Sequence, residues 1–167
     1  ILTFLKIFMI IGLTLAIFGF GQGASWSHLS SQTSSWPGFS AFGAAMIGAL
    51  WAYDGWNNMP MVAGEIKNPS RNIPIALGIG MGVVLLIYLL ANLSYFYALP
   101  FSDVVNTYSR LHPDALPVAT LAATRAFGPG AAGVLSIAFV VSAVGAMNGS
   151  ILTNARVPYA MAEDQYF

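Results

Sequence analysis

The chain has 167 residues, of which 57% are hydrophobic and 7% charged, and its mean hydropathy is +0.71. A soluble domain of this size needs far more polar surface, so the composition defines an integral membrane chain. A net charge of zero without a basic tract excludes a nucleic-acid partner, and the lack of cysteine excludes disulfides, thiolate catalysis and Cys-based metal sites.

A crossing needs roughly 20 apolar residues, so the chain holds about four helices and reads as an all-α polytopic bundle. The alternating ten-residue segments of a membrane β-barrel are missing. Taken as one membrane domain over 1–167, its spans are expected near 1–20, 42–64, 75–99 and 132–153. The first carries Lys6 as its only charge, with Gly12 and Gly19 as close-packing points. Lys6 lies inside the apolar run rather than ahead of it, which argues against a cleavable signal peptide. The start at Ile1 without methionine and the stop at Tyr166-Phe167 after a helix-like run read as a segment of a longer protein.

A serine-rich loop follows over 25–40, with Trp26 and Trp36 placed like interfacial anchors. The second span is interrupted by Trp51-Ala52-Tyr53-Asp54-Gly55-Trp56-Asn57-Asn58 and loosened by Pro60. The charged turn 65–74 contains Pro69 and Pro74, expected to stop one helix and start the next. After the third span, 100–112 is a loop, 117–127 a short surface helix ended by Gly128-Pro129, and Arg156 follows the fourth span at a membrane edge. Alternation of loops puts Lys67, Arg71 and Arg156 on one side and Arg110 and Arg125 on the other. With the uncharged serine loop this places the Lys67–Arg71 turn in the cytoplasm.

The interruption is the main clue to function. A bilayer core has no water for backbone groups, so such a break persists where it lines a protein-enclosed cavity, and its carbonyls can coordinate a ligand. Asp54 has two readings, an intramembrane proton carrier or a cap on the following half-helix, and capping is the simpler. Lys6 is either an internal cation held by oxygens or a snorkelling side chain, with Ser142, Ser150 and Thr153 as available hydroxyls. Trp51 is the aromatic best placed to close a cavity. Gly78 and Gly82 have the spacing of close helix contact rather than of a phosphate loop. Glu65, Lys67 and Arg71 are either a gate or, more simply, solvated loop charges. His28 and His112 stand apart in loops and suggest no metal, and no Ser-His-Asp set is supported, so no enzyme activity and no cofactor are expected.

The residues Leu-Trp-Ala-Tyr-Asp-Gly-Trp-Asn at 50–57 and Gly-Glu-Ile-Lys-Asn-Pro-Ser-Arg-Asn-Ile-Pro-Ile-Ala at 64–76 resemble the L-type amino acid transporters of the amino acid-polyamine-organocation superfamily. Asn148-Gly149-Ser150 and the tail from Arg156 to Asp164 are similar to the eighth helix of that family and its exit. The resemblance implies helices five to eight of a twelve-helix inverted-repeat transporter of the cell membrane, embedded in lipid beside its missing helices. It implies that main-chain carbonyls of Trp51, Ala52 and Asp54 receive the substrate ammonium, with Tyr53 and Gly55 in the same unwound stretch. Trp51 then gates the site and Asn57 lies near the substrate side chain. Lys6, paired with Ser150, matches a lysine that stands in for sodium, which implies sodium-independent exchange or facilitated transport of an amino acid. The rivals are a proton-coupled symporter and a channel or structural subunit.

Overall fold

The computed structural model describes residues 2–30 and 38–165, so Trp36 lies outside the described residues. Among the described residues every regular element is helical: α1 (Leu2–Phe20), α2 (Gly38–Ala52), α3 (Pro69–Ala98), α4 (Phe101–Val105), α5 (Val118–Phe127), α6 (Gly130–Asn154) and α7 (Arg156–Glu163). Short 3₁₀ segments cover Trp26–Ser30, Trp56–Asn58 and Pro60–Glu65. Thr3–Phe20, Pro69–Ala98 and Gly130–Glu163 are each long and apolar enough to cross a membrane. With 15 residues, α2 extends only about 22 Å and falls short of a hydrocarbon core about 30 Å thick. Any crossing by this segment therefore includes the broken stretch after it.

α3 begins six residues before the expected 75, because the start signal is at Asn68 rather than Pro74. Asn68 has a left-handed φ of 50°, and its carbonyl accepts from the amides of Arg71 (3.1 Å) and Asn72 (3.0 Å). The Asn72 side chain donates back to the Lys67 carbonyl at 2.5 Å. Pro69 then takes the first helical position, where its fixed φ fits and its missing N–H costs nothing. Pro74 lies inside α3 instead of starting it.

The chain falls into two compact units, Ile1–Gln32 with Val84–Gly145 and Thr33–Val83 with Ala146–Phe167. The first has a core of Ile17, Ala98, Leu99, Ala122 and Ala126, against which Leu13, Tyr95, Val118 and Leu121 pack. α5, expected on the surface, packs on α1 and buries Ala122 and Ala123 completely. Those small side chains are what let the two helices approach. Trp26, Phe18 and Tyr97 form a three-ring cluster, with ring centroids 6.0 Å (Phe18–Trp26), 4.7 Å (Trp26–Tyr97) and 5.4 Å (Phe18–Tyr97) apart. The Tyr97 carbonyl accepts from the Ser25 amide and from His28 Nδ1–H, both at 3.0 Å, so the loop after α1 is tied to the end of α3.

The second unit has no fully buried residue among those described. Its apolar side chains face outward, as they do where lipid or further protein covers a surface. Gly78, Gly80 and Gly82, and in the first unit Gly12 and Gly19, have open space where a side chain would begin, with no described atom within 4 Å of a methyl group placed there. The close helix contacts expected at Gly12, Gly19, Gly78 and Gly82 are not made among the described residues.

At Gly55 the backbone adopts φ 106° and ψ −10°, a conformation that L side chains rarely accept, although the space beside it is open. Gly55→Val is therefore expected to destabilise the full-length protein by about 1–2 kcal/mol through strain alone. Thermal unfolding in detergent checks this against Gly64→Ala, where the space is also open and φ is not positive. Equal melting temperatures for both variants and the wild type contradict the assignment.

Candidate functional site

The break begins at Tyr53, two residues later than the sequence suggests, since Trp51 and Ala52 are the last residues of α2. A helix end leaves carbonyls without intrahelical partners, and here the last turn tightens to satisfy them. The Leu50 carbonyl accepts from the Tyr53 amide and the Trp51 carbonyl from the Asp54 amide, both at 3.2 Å. A carbonyl has two lone pairs, so the Trp51 oxygen keeps one acceptor position.

Gly55 then takes a left-handed conformation, and its carbonyl accepts from the Asn58 amide at 3.3 Å to open the 3₁₀ turn Trp56–Asn58. The expectation that Asp54 caps the following half-helix fails. Gly55 is the capping residue, and neither this turn nor the one at Pro60–Glu65 has a side-chain cap. Two short turns replace a resumed α-helix, because Gly55 and Pro60 both interrupt the regular hydrogen-bond ladder. The Asp54 carboxylate and Asn57 are exposed, and Tyr53 is half-buried. Trp51 is 81% exposed, so no described residue packs its ring in place.

Lys6 lies in the first unit, half-buried on α1, and lines a pocket of about 240 Å³. Tyr95 from α3, Thr120 from α5 and Ser142 from α6 border the same space, which is otherwise apolar. The ammonium makes no hydrogen bond or ion pair with the described residues, and of the three hydroxyl residues named from the sequence only Ser142 shares its cavity, beside Tyr95 and Thr120. Ser150 belongs to the second unit. Thr153 is engaged in its own helix, donating to the Gly149 carbonyl at 3.1 Å, a local bond that satisfies a hydroxyl in an apolar segment. Tyr95 and Thr120 were not singled out from the sequence: the packing of α3 at the core and of α5 on α1 brings them beside Lys6.

Two ion pairs organise the charged ends. Arg125 pairs with Asp103, which sits in the first turn of α4 where a carboxylate suits the helix dipole. Glu65 pairs with Arg156 at 2.5 Å, rather than with Lys67 or Arg71. Glu65, Lys67 and Arg71 are exposed charges, as expected, and Glu65 adds a contact to Arg156 that the sequence did not indicate.

The model of the amino acid permease family matches residues 1–167, and the chain belongs to that family. It is 31% identical over 149 residues to the serine/threonine exchanger SteT of Bacillus subtilis (strain 168), covering 89% of this chain and 32% of that protein. It is 31% identical over 163 residues to the b(0,+)-type amino acid transporter 1 of Rattus norvegicus, covering 98% of this chain and 31% of that one. The large neutral amino acids transporter small subunit 2 of Oryctolagus cuniculus is 27% identical over 132 residues, covering 77% and 22%. The chain thus spans about a third or less of the length of these curated relatives. No solved structure matches it. Family and helices together make this part of a multi-pass membrane protein, and the family is one of permeases rather than enzymes.

The contrast between half-buried Lys6 and exposed Lys67 is measurable. With cysteine placed at either position in a cysteine-free full-length protein, a polar maleimide is expected to label Lys6→Cys about tenfold more slowly than Lys67→Cys, since access limits the thiol's reactivity. Equal rates exclude the pocket placement of Lys6.

Proposed function

We propose that the full-length protein is a sodium-independent amino acid exchanger or facilitator that works by alternating access around the break after Ala52. The observation that carries this reading is the carbonyl end of a helix inside an apolar segment, followed by a left-handed turn at Gly55. In a dry site such oxygens form a cradle for an ammonium group, the one feature common to amino acid substrates. The carbonyls of Trp51, Ala52 and Asp54 take this role, with Tyr53 and Gly55 shaping the stretch and Asn57 near the substrate side chain. Trp51, held by no described neighbour, is the gate. Relatives named as amino acid transporters and exchangers support the substrate class. The missing two-thirds of the protein supplies the remainder of the site.

Lys6 takes the place of a coupling cation, with Ser150 as the partner implied by resemblance and Ser142 as a hydroxyl in its own pocket. A fixed ammonium supplies permanently the positive charge that a sodium ion supplies reversibly, so uptake needs no sodium gradient. Proton-coupled symport is the second reading, favoured by an Asp54 carboxylate that caps no helix end. An imposed proton gradient that drives uptake without internal amino acid selects symport over exchange.

In liposomes loaded with unlabelled amino acid and bathed in labelled amino acid, Trp51→Ala is expected to slow exchange by about tenfold or more while the protein remains folded, since a gate acts on turnover rather than stability. Ile47→Ala, one turn earlier on α2 and also exposed, is expected to exchange within about twofold of wild type. Wild-type exchange by Trp51→Ala removes the gate, and a requirement for sodium removes the role of Lys6.

A further inference from the structure

Glu65 is the last residue of the 3₁₀ segment Pro60–Glu65, which continues directly from the break, and Arg156 is the first residue of α7. Their side chains meet at 2.5 Å, and α7 packs against this same segment. Only Ala155 separates α7 from α6, and it keeps helical dihedrals (φ −63°, ψ −19°) with its amide donating to the Ile151 carbonyl at 3.1 Å, so Arg156 stands within a nearly continuous helical run over Gly130–Glu163.

The carboxylate end of the pair is held firmly. The Ile66 amide donates to the Ala63 carbonyl at 3.1 Å, and the left-handed Asn68 with the Asn72 side chain closes the next turn. Lys67 and Arg71 lie on the same turn, yet Arg156 is the cation that Glu65 engages. The contact is therefore selective rather than a diffuse attraction between loop charges.

We propose that Glu65 and Arg156 form a clasp that fixes the far end of the broken segment on the membrane face bearing the Lys67–Arg71 turn, and so controls substrate access from that face alone. This rests on the transport reading above. Both are positioning residues, since neither lies at the break. Their side chains are 65% and 39% exposed, so the pair adds little to global stability. A small bias suffices to change how often a segment opens, because two conformations of a transporter differ by little free energy.

The test uses the full-length protein in liposomes, with KM for a labelled amino acid measured separately from each membrane face. Glu65→Gln and Arg156→Gln are each expected to change KM from one face by about fivefold, with the other face within about twofold and the melting temperature preserved. The exchanged pair Glu65→Arg with Arg156→Glu is expected to recover wild-type KM, since it restores the attraction between the two side chains. Variants indistinguishable from wild type, equal changes from both faces, or an exchanged pair no better than either single variant overturn the clasp. Absence of amino acid exchange by the wild-type protein overturns the transport reading instead, so the two failures are told apart.

Discussion

Everything in this chain is organised by one constraint: a bilayer core provides no solvent for backbone N–H and C=O groups, and each unsatisfied group there costs several kcal/mol. Long helices meet it at no further expense, as α1, α3 and α6 do. The end of α2 does not. There the carbonyls of Leu50 and Trp51 are taken up by a tightened last turn, and Gly55 and Asn58 close the next one. The chain thus manages the break after α2 by short local hydrogen bonds that occupy one lone pair and leave another. Structural satisfaction and ligand binding at such a carbonyl are compatible.

Polar side chains obey the same constraint. Ser94 donates to the Ala91 carbonyl at 2.8 Å, Ser136 to Ala132 at 2.9 Å and Thr153 to Gly149 at 3.1 Å, so hydroxyls within apolar helices are served by their own backbone. The acids Asp103 and Glu65 pair with arginines near helix ends. Lys6 and Asp54 stand apart from this pattern: the ammonium borders an otherwise apolar pocket, and the carboxylate caps neither 3₁₀ turn.

The apolar faces of α2 and α6 and the open glycines at 12, 19, 78 and 82 have the same physical origin. The chain spans about a third of its relatives' length, and these surfaces meet no neighbour among the described residues. Small residues permit close approach, but permission is not contact. The partner helix decides whether the approach happens.

By itself the sequence determined the all-α membrane class, because hydropathy acts over whole segments and needs no knowledge of neighbours. It also located the break, since Asp54, Gly55 and Asn57 in an apolar run oppose a continuous helix whatever surrounds them. The motif at 50–76 led to the permease family. Boundaries depended on finer chemistry: the left-handed Asn68 with its Asn72 bond starts α3, so Pro74 falls inside it. The cap went to Gly55 rather than Asp54 because the left-handed conformation at Gly55 set the geometry of the turn. Only tertiary structure buried α5 against α1, placed Tyr95, Thr120 and Ser142 beside Lys6, and joined Glu65 to Arg156 across 91 positions of sequence (156 − 65). Local patterns encode helices and their interruptions, whereas contacts between distant residues exist only once the chain has packed.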